Sequence, residues 1–247
     1  MIVNPTYRFI FFKSMKTAGS SIEKSLFDYC DHKSLCTGGS STPYFYTNKM
    51  LITTDEYKSI NNATRDHRIK FHSHTSPLLF KKRILNFNIF KDYKIITSVR
   101  NPWDTLVSWF WFSGHNKLKE INQRPELIRD TFLSWANRPS KLASYSSEEV
   151  ILNMTPVDYL GYINEEFVCD LITDYIRFES LTYDYSLKMR KILGSNFKPL
   201  TAKSKASFRA IKHHYSFYYN SSTKEKVSCA FPKTISKFNY KFENKYE

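Results

Sequence analysis

The fold of this chain is decided by the stretch Phe9-Ile10-Phe11-Phe12-Lys13-Ser14-Met15-Lys16-Thr17-Ala18-Gly19-Ser20-Ser21. Its apolar first part predicts a buried strand over residues 7–12, and the apolar spacing that follows predicts a helix over residues 20–29. A strand that runs through a short loop into a helix brings backbone N–H groups and the positive end of the helix dipole together. The sequence therefore predicts an anion-binding loop, in which Lys16 adds a charge and Gly19 allows close approach of the backbone.

This loop differs from the phosphate loop of ATP- and GTP-binding proteins. That loop has the pattern GxxxxGK followed by Ser or Thr, whereas here the first glycine is missing and Lys16 precedes Gly19. The hydroxyls of Thr17, Ser20 and Ser21 add hydrogen-bond donors, which indicates a phosphate loop of a different type. An ordinary strand-to-helix turn with surface lysines is the alternative interpretation.

A second chemical segment follows the clearest strand of the chain, residues 93–99. Arg100 comes directly after this strand, and ligands of open α/β sheets bind at the carboxyl ends of strands. Asn101-Pro102 predicts the cap and first position of a helix, along which Ser108 lies two turns beyond Arg100. A guanidinium can grip a phosphate bidentately, so Arg100 and Ser108 are candidate phosphate ligands. The alternative is a plain salt bridge from Arg100 to Asp104.

Strands alternate with helices along the chain, which predicts an α/β fold with a mainly parallel central sheet. A late strand is predicted over residues 174–178 and a helix over residues 179–193, ended by Gly194. The sequence contains no internal repeat and no linker-like segment, so residues 1–247 are expected to form a single domain.

Composition narrows the class of protein. Hydrophobic residues make up 41% and aromatic residues 17% of the chain, which excludes a disordered protein. The formal net charge of +14 favours an anionic partner such as a polyanionic sugar, a phosphate-bearing cofactor or nucleic acid. A basic nucleic-acid-binding protein is one alternative, but we expect no nucleic-acid partner because the sequence contains no recognised nucleic-acid motif.

Membrane and metal functions are not expected. No apolar run approaches the roughly 18 to 20 residues of a membrane span. The four cysteines form no CxxC pair and no regular framework, and the N-terminus lacks a signal-peptide pattern, which together favour reduced thiols in a cytosol. The spacing of Cys30, His32 and Cys36 fits no usual zinc pattern, so no metal site is predicted.

Together the two phosphate segments resemble the signatures of sulfotransferases that use 3′-phosphoadenosine 5′-phosphosulfate (PAPS). The first signature, roughly P-K-T-G/A-G/S-T/S-S/T, is matched by Met15-Lys16-Thr17-Ala18-Gly19-Ser20-Ser21, with Met15 in place of proline. The second is matched by Val99-Arg100-Asn101-Pro102-Trp103-Asp104 through Ser108-Trp109-Phe110, and Arg177-Phe178-Glu179-Ser180-Leu181 resembles a later family run.

The resemblance implies a P-loop-like three-layer sandwich, in which a central, mainly parallel sheet is flanked by helices, with PAPS as the sulfuryl donor and no metal. It implies that Lys16 stabilises the leaving group while residues 17–21 hold the 5′-phosphate. Arg100 and Ser108 would hold the 3′-phosphate. Lys203, Lys205 and Arg209 fall in a loop that closes over the nucleotide in related enzymes, with a solvated basic loop as the alternative interpretation.

The segment Phe71-His72-Ser73-His74-Thr75-Ser76-Pro77 supplies a candidate base. Two histidines at i and i+2 share one face of a strand, and the ordinary pKa of histidine suits a base near neutral pH. The segment resembles the H-x-H stretch of the uronyl and heparan 2-O-sulfotransferase branch. That resemblance implies His74 as base, His72 as a supporting residue and a carbohydrate hydroxyl as acceptor. Glu23 is the reserve base, and an incomplete metal pair or a core histidine is the plain alternative.

A nucleotide kinase remains a rival enzyme and predicts magnesium dependence, and a degenerate sulfotransferase that binds nucleotide without catalysis is a further alternative. Lipid, small-molecule and peptide acceptors also stay open. Since the first predicted strand begins within about ten residues of Met1, a complete chain would be a soluble cytoplasmic enzyme without the N-terminal anchor of Golgi sulfotransferases.

Overall fold

The computed structural model describes residues 1–31, 34–37, 71, 73–84, 86–114, 124–142, 151–201, 209 and 213–246. The chain divides into two units, one made of Met1–Val99 with Cys169–Ala202 and the other of Arg100–Val168 with Lys203–Glu247. The single domain expected from the sequence stays a prediction.

The strands in chain order are β1 (Ile2–Asn4), β2 (Phe9–Phe12), β3 (Leu35–Cys36), β4 (Lys94–Val99), β5 (Ser140–Leu142), β6 (Ile151–Met154) and β7 (Asp174–Arg177). The α-helices are α1 (Gly19–Phe27), α2 (Pro77–Arg83), α3 (Pro102–Phe112), α4 (Pro125–Asn137), α5 (Pro156–Glu165), α6 (Leu181–Leu193), α7 (Ser221–Ala230) and α8 (Pro232–Phe238). Short 3-10 turns lie at Phe87–Phe90, Gly194–Asn196 and Tyr215–Tyr218.

The first unit contains a five-stranded sheet in the order β3-β1-β2-β4-β7. β2 pairs with β4 and β4 with β7 in parallel, whereas β1 runs antiparallel to both β2 and β3. The predicted α/β class with a mainly parallel central sheet is thereby confirmed. The sequence did not predict β1, because three residues are too few to show an alternating pattern.

Helices cover both faces of this sheet. Phe9 and Phe11 pack in one cluster with Ile22 of α1 and Tyr185 of α6. Phe12 points to the opposite face, where its ring lies 5.5 Å from that of Phe80 in α2. Burying each such side chain stabilises the fold by about 1.5–3 kcal/mol. The three-layer arrangement expected from the sequence is therefore present within this unit.

Parallel pairing sets where the chemical loop begins. Phe12 pairs with Thr97, so β2 and β4 end at the same edge of the sheet. The loop 13–18 starts at that edge and runs directly into α1. Thr97 also donates its hydroxyl hydrogen to the Phe12 carbonyl oxygen at 2.9 Å, which ties the two strand ends together.

The second unit is built mainly from helices around an aromatic core. Phe110 of α3 lies 5.4 Å from Phe132 of α4, and Phe132 lies 5.4 Å from Tyr218, measured between ring centroids. At another point, the Glu165 carboxylate accepts hydrogen bonds from the backbone N–H groups of Lys233 and Thr234, at 2.7 and 3.0 Å. A side chain from α5 thus caps the start of α8.

Among the described residues, the helices are all too short or too polar to cross a membrane.

Candidate functional site

The loop before α1 contains two left-handed residues and leads into an uncapped helix start. Lys16 and Ala18 both adopt the left-handed conformation, with φ of 62° and 66°. Ala18 is the N-cap of α1, where no side chain caps the helix and no acidic residue stands in the first turn. The positive end of α1 therefore keeps its attraction for an external anion.

The predicted phosphate ligands are distributed around this helix start. Lys16, Ala18 and Ser20 are half-buried, whereas Gly19 and Ser21 are buried. The Ala18 carbonyl oxygen accepts from the backbone N–H groups of Ser21 at 2.9 Å and Ile22 at 3.2 Å, so these two donors are used within the first turn of the helix. Their contacts with a phosphate stay predictions.

Thr17 shapes the loop. Its buried hydroxyl oxygen lies 2.7 Å from Ser14 Oγ and 2.7 Å from Ser98 Oγ, at the end of β4. Ser14 in turn donates to the Ser98 carbonyl oxygen at 2.5 Å. The sequence predicted Thr17 as a hydroxyl donor to phosphate, and the structure shows this hydroxyl joining the loop to the sheet.

Gly19 is required for a reason that the sequence did not reveal. A Cβ atom at this position would lie 2.5 Å from Cγ of Lys13. Lys13 is buried, and its Nζ lies 2.6 Å from Oε2 of Glu23. The Lys13 stem thus crosses the start of α1 on its way to Glu23, and a larger residue than glycine would obstruct it.

Glu23 is poorly suited to act as a base. Its side chain is 2% exposed, and its other oxygen, Oε1, lies 3.0 Å from the amino nitrogen of Met1. Burial acts to raise the pKa of Glu23, but the amino group of Met1 and Lys13 together hold this pKa below its ordinary value. The carboxylate is therefore ionised and engaged through both oxygens, which favours a structural role.

A hydrogen bond fixes the tautomer of His74. Its Nδ1 lies 2.8 Å from the carbonyl oxygen of Lys13, and because a carbonyl oxygen accepts, Nδ1 carries the hydrogen. Nε2 is then the basic nitrogen. Burial and the nearby Lys13 charge lower the pKa of His74 to about 3, so its ring is neutral at physiological pH. The sequence expected a less perturbed histidine because it could not show this burial. His72 lies outside the described residues.

In the second unit, Arg100 and Arg209 share one carboxylate. Arg100 donates from Nε and Nη2 to Oδ2 of Asp104, at 2.8 and 2.6 Å. Arg209 donates from Nη1 to Oδ1 of the same residue at 2.9 Å. Burial acts to raise the pKa of Asp104, but the two guanidiniums hold this pKa below its ordinary value. The salt bridge considered as the alternative for Arg100 is present, and a second arginine joins it.

The start of α3 agrees with the sequence pattern. Asn101 accepts hydrogen bonds from the N–H groups of Trp103 and Asp104, at 3.1 and 3.4 Å, and Pro102 opens the helix. Ser108 lies one turn beyond Asp104 on the same face of α3 and is half-buried. Lys203 and Lys205 lie outside the described residues.

No group of three or more His, Cys, Asp and Glu side chains that could hold a metal ion is found in the described part of the chain. His32, one of the residues considered for zinc, lies outside that part.

Comparison with known proteins identifies the family. A family model described as a sulfotransferase domain matches residues 13–241. Comparison with curated proteins and with solved structures finds no significant match in either set. The matched range contains the loop before α1, His74, Arg100 and Arg209, and it extends through both units. The chain therefore belongs to the sulfotransferase family.

Proposed function

We propose that this protein transfers a sulfuryl group from PAPS to a carbohydrate hydroxyl. The observation that carries this proposal is the start of α1, an uncapped helix end preceded by Lys16 in a left-handed loop. Such a helix end attracts a phosphate, and the family match makes sulfuryl transfer the reaction. PAPS would supply the activated sulfuryl group on its 5′-phosphate.

The residues that would hold the donor carry the required charge. The backbone of residues 17–21 and the hydroxyls of Ser20 and Ser21 would hold the 5′-phosphate, while Arg100 and Ser108 would hold the 3′-phosphate. Arg209 and Lys203 would add positive charge near the 3′-phosphate. The ammonium of Lys16 would stabilise negative charge as it develops on the leaving oxygen.

His74 would accept the proton of the acceptor hydroxyl. The hydrogen bond from Nδ1 to the Lys13 carbonyl oxygen leaves Nε2 as the basic atom. The low pKa keeps Nε2 unprotonated across the physiological range, although it also makes the imidazole a weak base. A weak base is adequate because little positive charge develops on the attacking hydroxyl oxygen in a loose, in-line transition state, so its proton needs little assistance to leave.

A carbohydrate acceptor is supported by the resemblance of residues 71–77 to the H-x-H stretch and by the net charge of +14, which suits an acidic sugar. A reducing cytoplasm is the proposed location. It is supported by the cysteines, since Cys30, Cys36, Cys169 and Cys229 form no disulfide with one another.

The proposed donor is tested by thermal unfolding at fixed salt with three ligands: adenosine 3′,5′-bisphosphate, ADP, and ATP with magnesium. A ligand at 100 times its dissociation constant stabilises a protein by about 2.7 kcal/mol. We expect the bisphosphate to stabilise the wild type and to lose this effect in Arg100→Ala. Arg138→Ala, which removes an exposed arginine of the same unit, is the matched control.

Stabilisation by ATP with magnesium alone would indicate a phosphotransferase and contradict the proposal. Transfer itself is measured with radiolabelled PAPS and a panel of sugars, lipids and peptides. Lys16→Ala is expected to lower the transfer rate on the order of 100-fold, as when one charge-stabilising donor is removed. Transfer to lipids or peptides but not to sugars would contradict the acceptor class.

A further inference from the structure

Asp104 occupies an unusual position between two cations. One of its oxygens accepts from Nε and Nη2 of Arg100, and the other accepts from Nη1 of Arg209. The carboxylate is only 16% exposed, so water screens these contacts weakly. Its place in the first turn of α3 fixes it relative to Arg100, four residues earlier.

Arg209 has few other anchors among the described residues. Its Nη2 donates to the His213 carbonyl oxygen, and its guanidinium lies 5.8 Å from the ring centroid of Tyr218. Its Nε is buried and has no hydrogen-bond partner within the described part of the chain. Asp104 therefore supplies the one carboxylate that the structure shows against Arg209.

We propose that Asp104 is a positioning residue that couples Arg209 to Arg100, so that the two arginines act as one unit in recognising a 3′-phosphate. This inference rests on the proposed function of PAPS-dependent transfer. A carboxylate that uses both oxygens orients both guanidinium planes and offsets the repulsion between them. Without its charge, Arg100 and Arg209 would repel each other and lose their common orientation.

The experiment compares two nucleotides that differ only in the 3′-phosphate. Dissociation constants of adenosine 3′,5′-bisphosphate and adenosine 5′-phosphate are measured by titration calorimetry. The constant for adenosine 5′-phosphate divided by the constant for the bisphosphate reports recognition of the 3′-phosphate. Asp104→Asn is expected to reduce this ratio roughly tenfold while the constant for adenosine 5′-phosphate changes little. A purely structural defect would weaken both nucleotides and leave the ratio unchanged.

A double-mutant comparison tests the coupling itself. Arg209→Gln should lower the ratio in the wild-type background and have little further effect beside Asp104→Asn. Asp158→Asn is the matched control, because it removes the carboxylate that lies 3.4 Å from Lys226 in the same unit. An unchanged ratio in Asp104→Asn, or an equal effect of Arg209→Gln in both backgrounds, would overturn the proposal.

A spectroscopic measurement separates this inference from the proposed function. The ¹⁵N resonance of Arg209 Nε should shift when Arg100 is replaced by alanine, and the same replacement should leave it unmoved in an Asp104→Asn background. If the wild type binds the two nucleotides equally well, the PAPS proposal fails. The Arg209 resonance then still tests whether Asp104 couples Arg209 to Arg100. An Arg209 Nε resonance that does not shift in the Arg100→Ala protein would refute the coupling.

Discussion

Replacing Gly19 with alanine is expected to destabilise the protein, contrary to the usual effect of this substitution in a helix. Alanine normally gains roughly 0.5–1 kcal/mol over glycine inside a helix. Here its Cβ would lie 2.5 Å from Lys13 Cγ. The sign of the change in unfolding free energy therefore distinguishes the two expectations.

The magnitude follows from how little Lys13 can move. Its stem is buried and its ammonium is held 2.6 Å from Glu23 Oε2. Forcing a methyl group into such a packed site costs about 1–3 kcal/mol. If Lys13 leaves its place altogether, a buried ion pair is broken, which costs about 3–5 kcal/mol. After the gain in helix propensity, we expect a net loss of up to about 2.5 kcal/mol if Lys13 adjusts in place and of about 2–4.5 kcal/mol if it leaves.

Urea unfolding of the wild type, Gly19→Ala and Ser20→Ala measures this loss. Ser20→Ala changes the next residue of the same helix turn and should stay within about 0.5 kcal/mol of the wild type. In a Glu23→Gln background the Lys13 ammonium loses its ionic anchor, so Gly19→Ala should cost less there. A Gly19→Ala protein as stable as the wild type would refute the idea that an immobile Lys13 stem excludes a side chain at position 19.

Three further predictions concern the same structure. Because the pKa of His74 is about 3 in the folded chain and near 6.5 when unfolded, the unfolded chain binds more protons between these values. Stability should therefore fall as pH drops below 6.5, by about 2 kcal/mol from this residue between pH 7.5 and pH 5; urea unfolding of His74→Gln at the two pH values should show a drop smaller by that amount. Thr17→Val leaves the hydroxyls of Ser14 and Ser98 short of a partner and should cost about 1–3 kcal/mol in urea unfolding. Thr131→Val, which removes a solvent-exposed hydrogen bond from a half-buried residue, is the control and should cost much less. Glu165→Gln removes the charged cap of α8 and should lower the unfolding free energy by roughly 1–3 kcal/mol, with exposed Glu126→Gln as control.

Structural features that produce a short, local pattern in the sequence could be predicted from it. The strand ending at Phe12, the loop before α1 and the Asn101-Pro102 helix start each depend on neighbouring residues, and the structure places them within a few residues of the expectation. The ends of the central parallel strands were located for the same reason.

Features that depend on distant partners could not be predicted. Nothing local indicates that Lys13 pairs with Glu23, or that Arg209 joins Arg100 on Asp104, 105 residues away. The burial that lowers the pKa of His74 is likewise a product of tertiary packing. Sequence reasoning therefore located the charged residues but not the contacts that set their protonation.

The conformation of the loop before α1 depends on residues whose side chains join it to buried structure. Holding Lys16 and Ala18 in the left-handed conformation costs about 1–2 kcal/mol each. The Thr17 hydroxyl network and the passage of Lys13 beneath Gly19 offset this cost, because both join the loop to buried structure. The proposed phosphate would then meet a loop that is already ordered, and little binding energy would be lost in arranging it. Within Lys16-Thr17-Ala18-Gly19, threonine and glycine thus serve to maintain the loop, and Lys16 and the start of α1 are the parts that would bind the proposed phosphate.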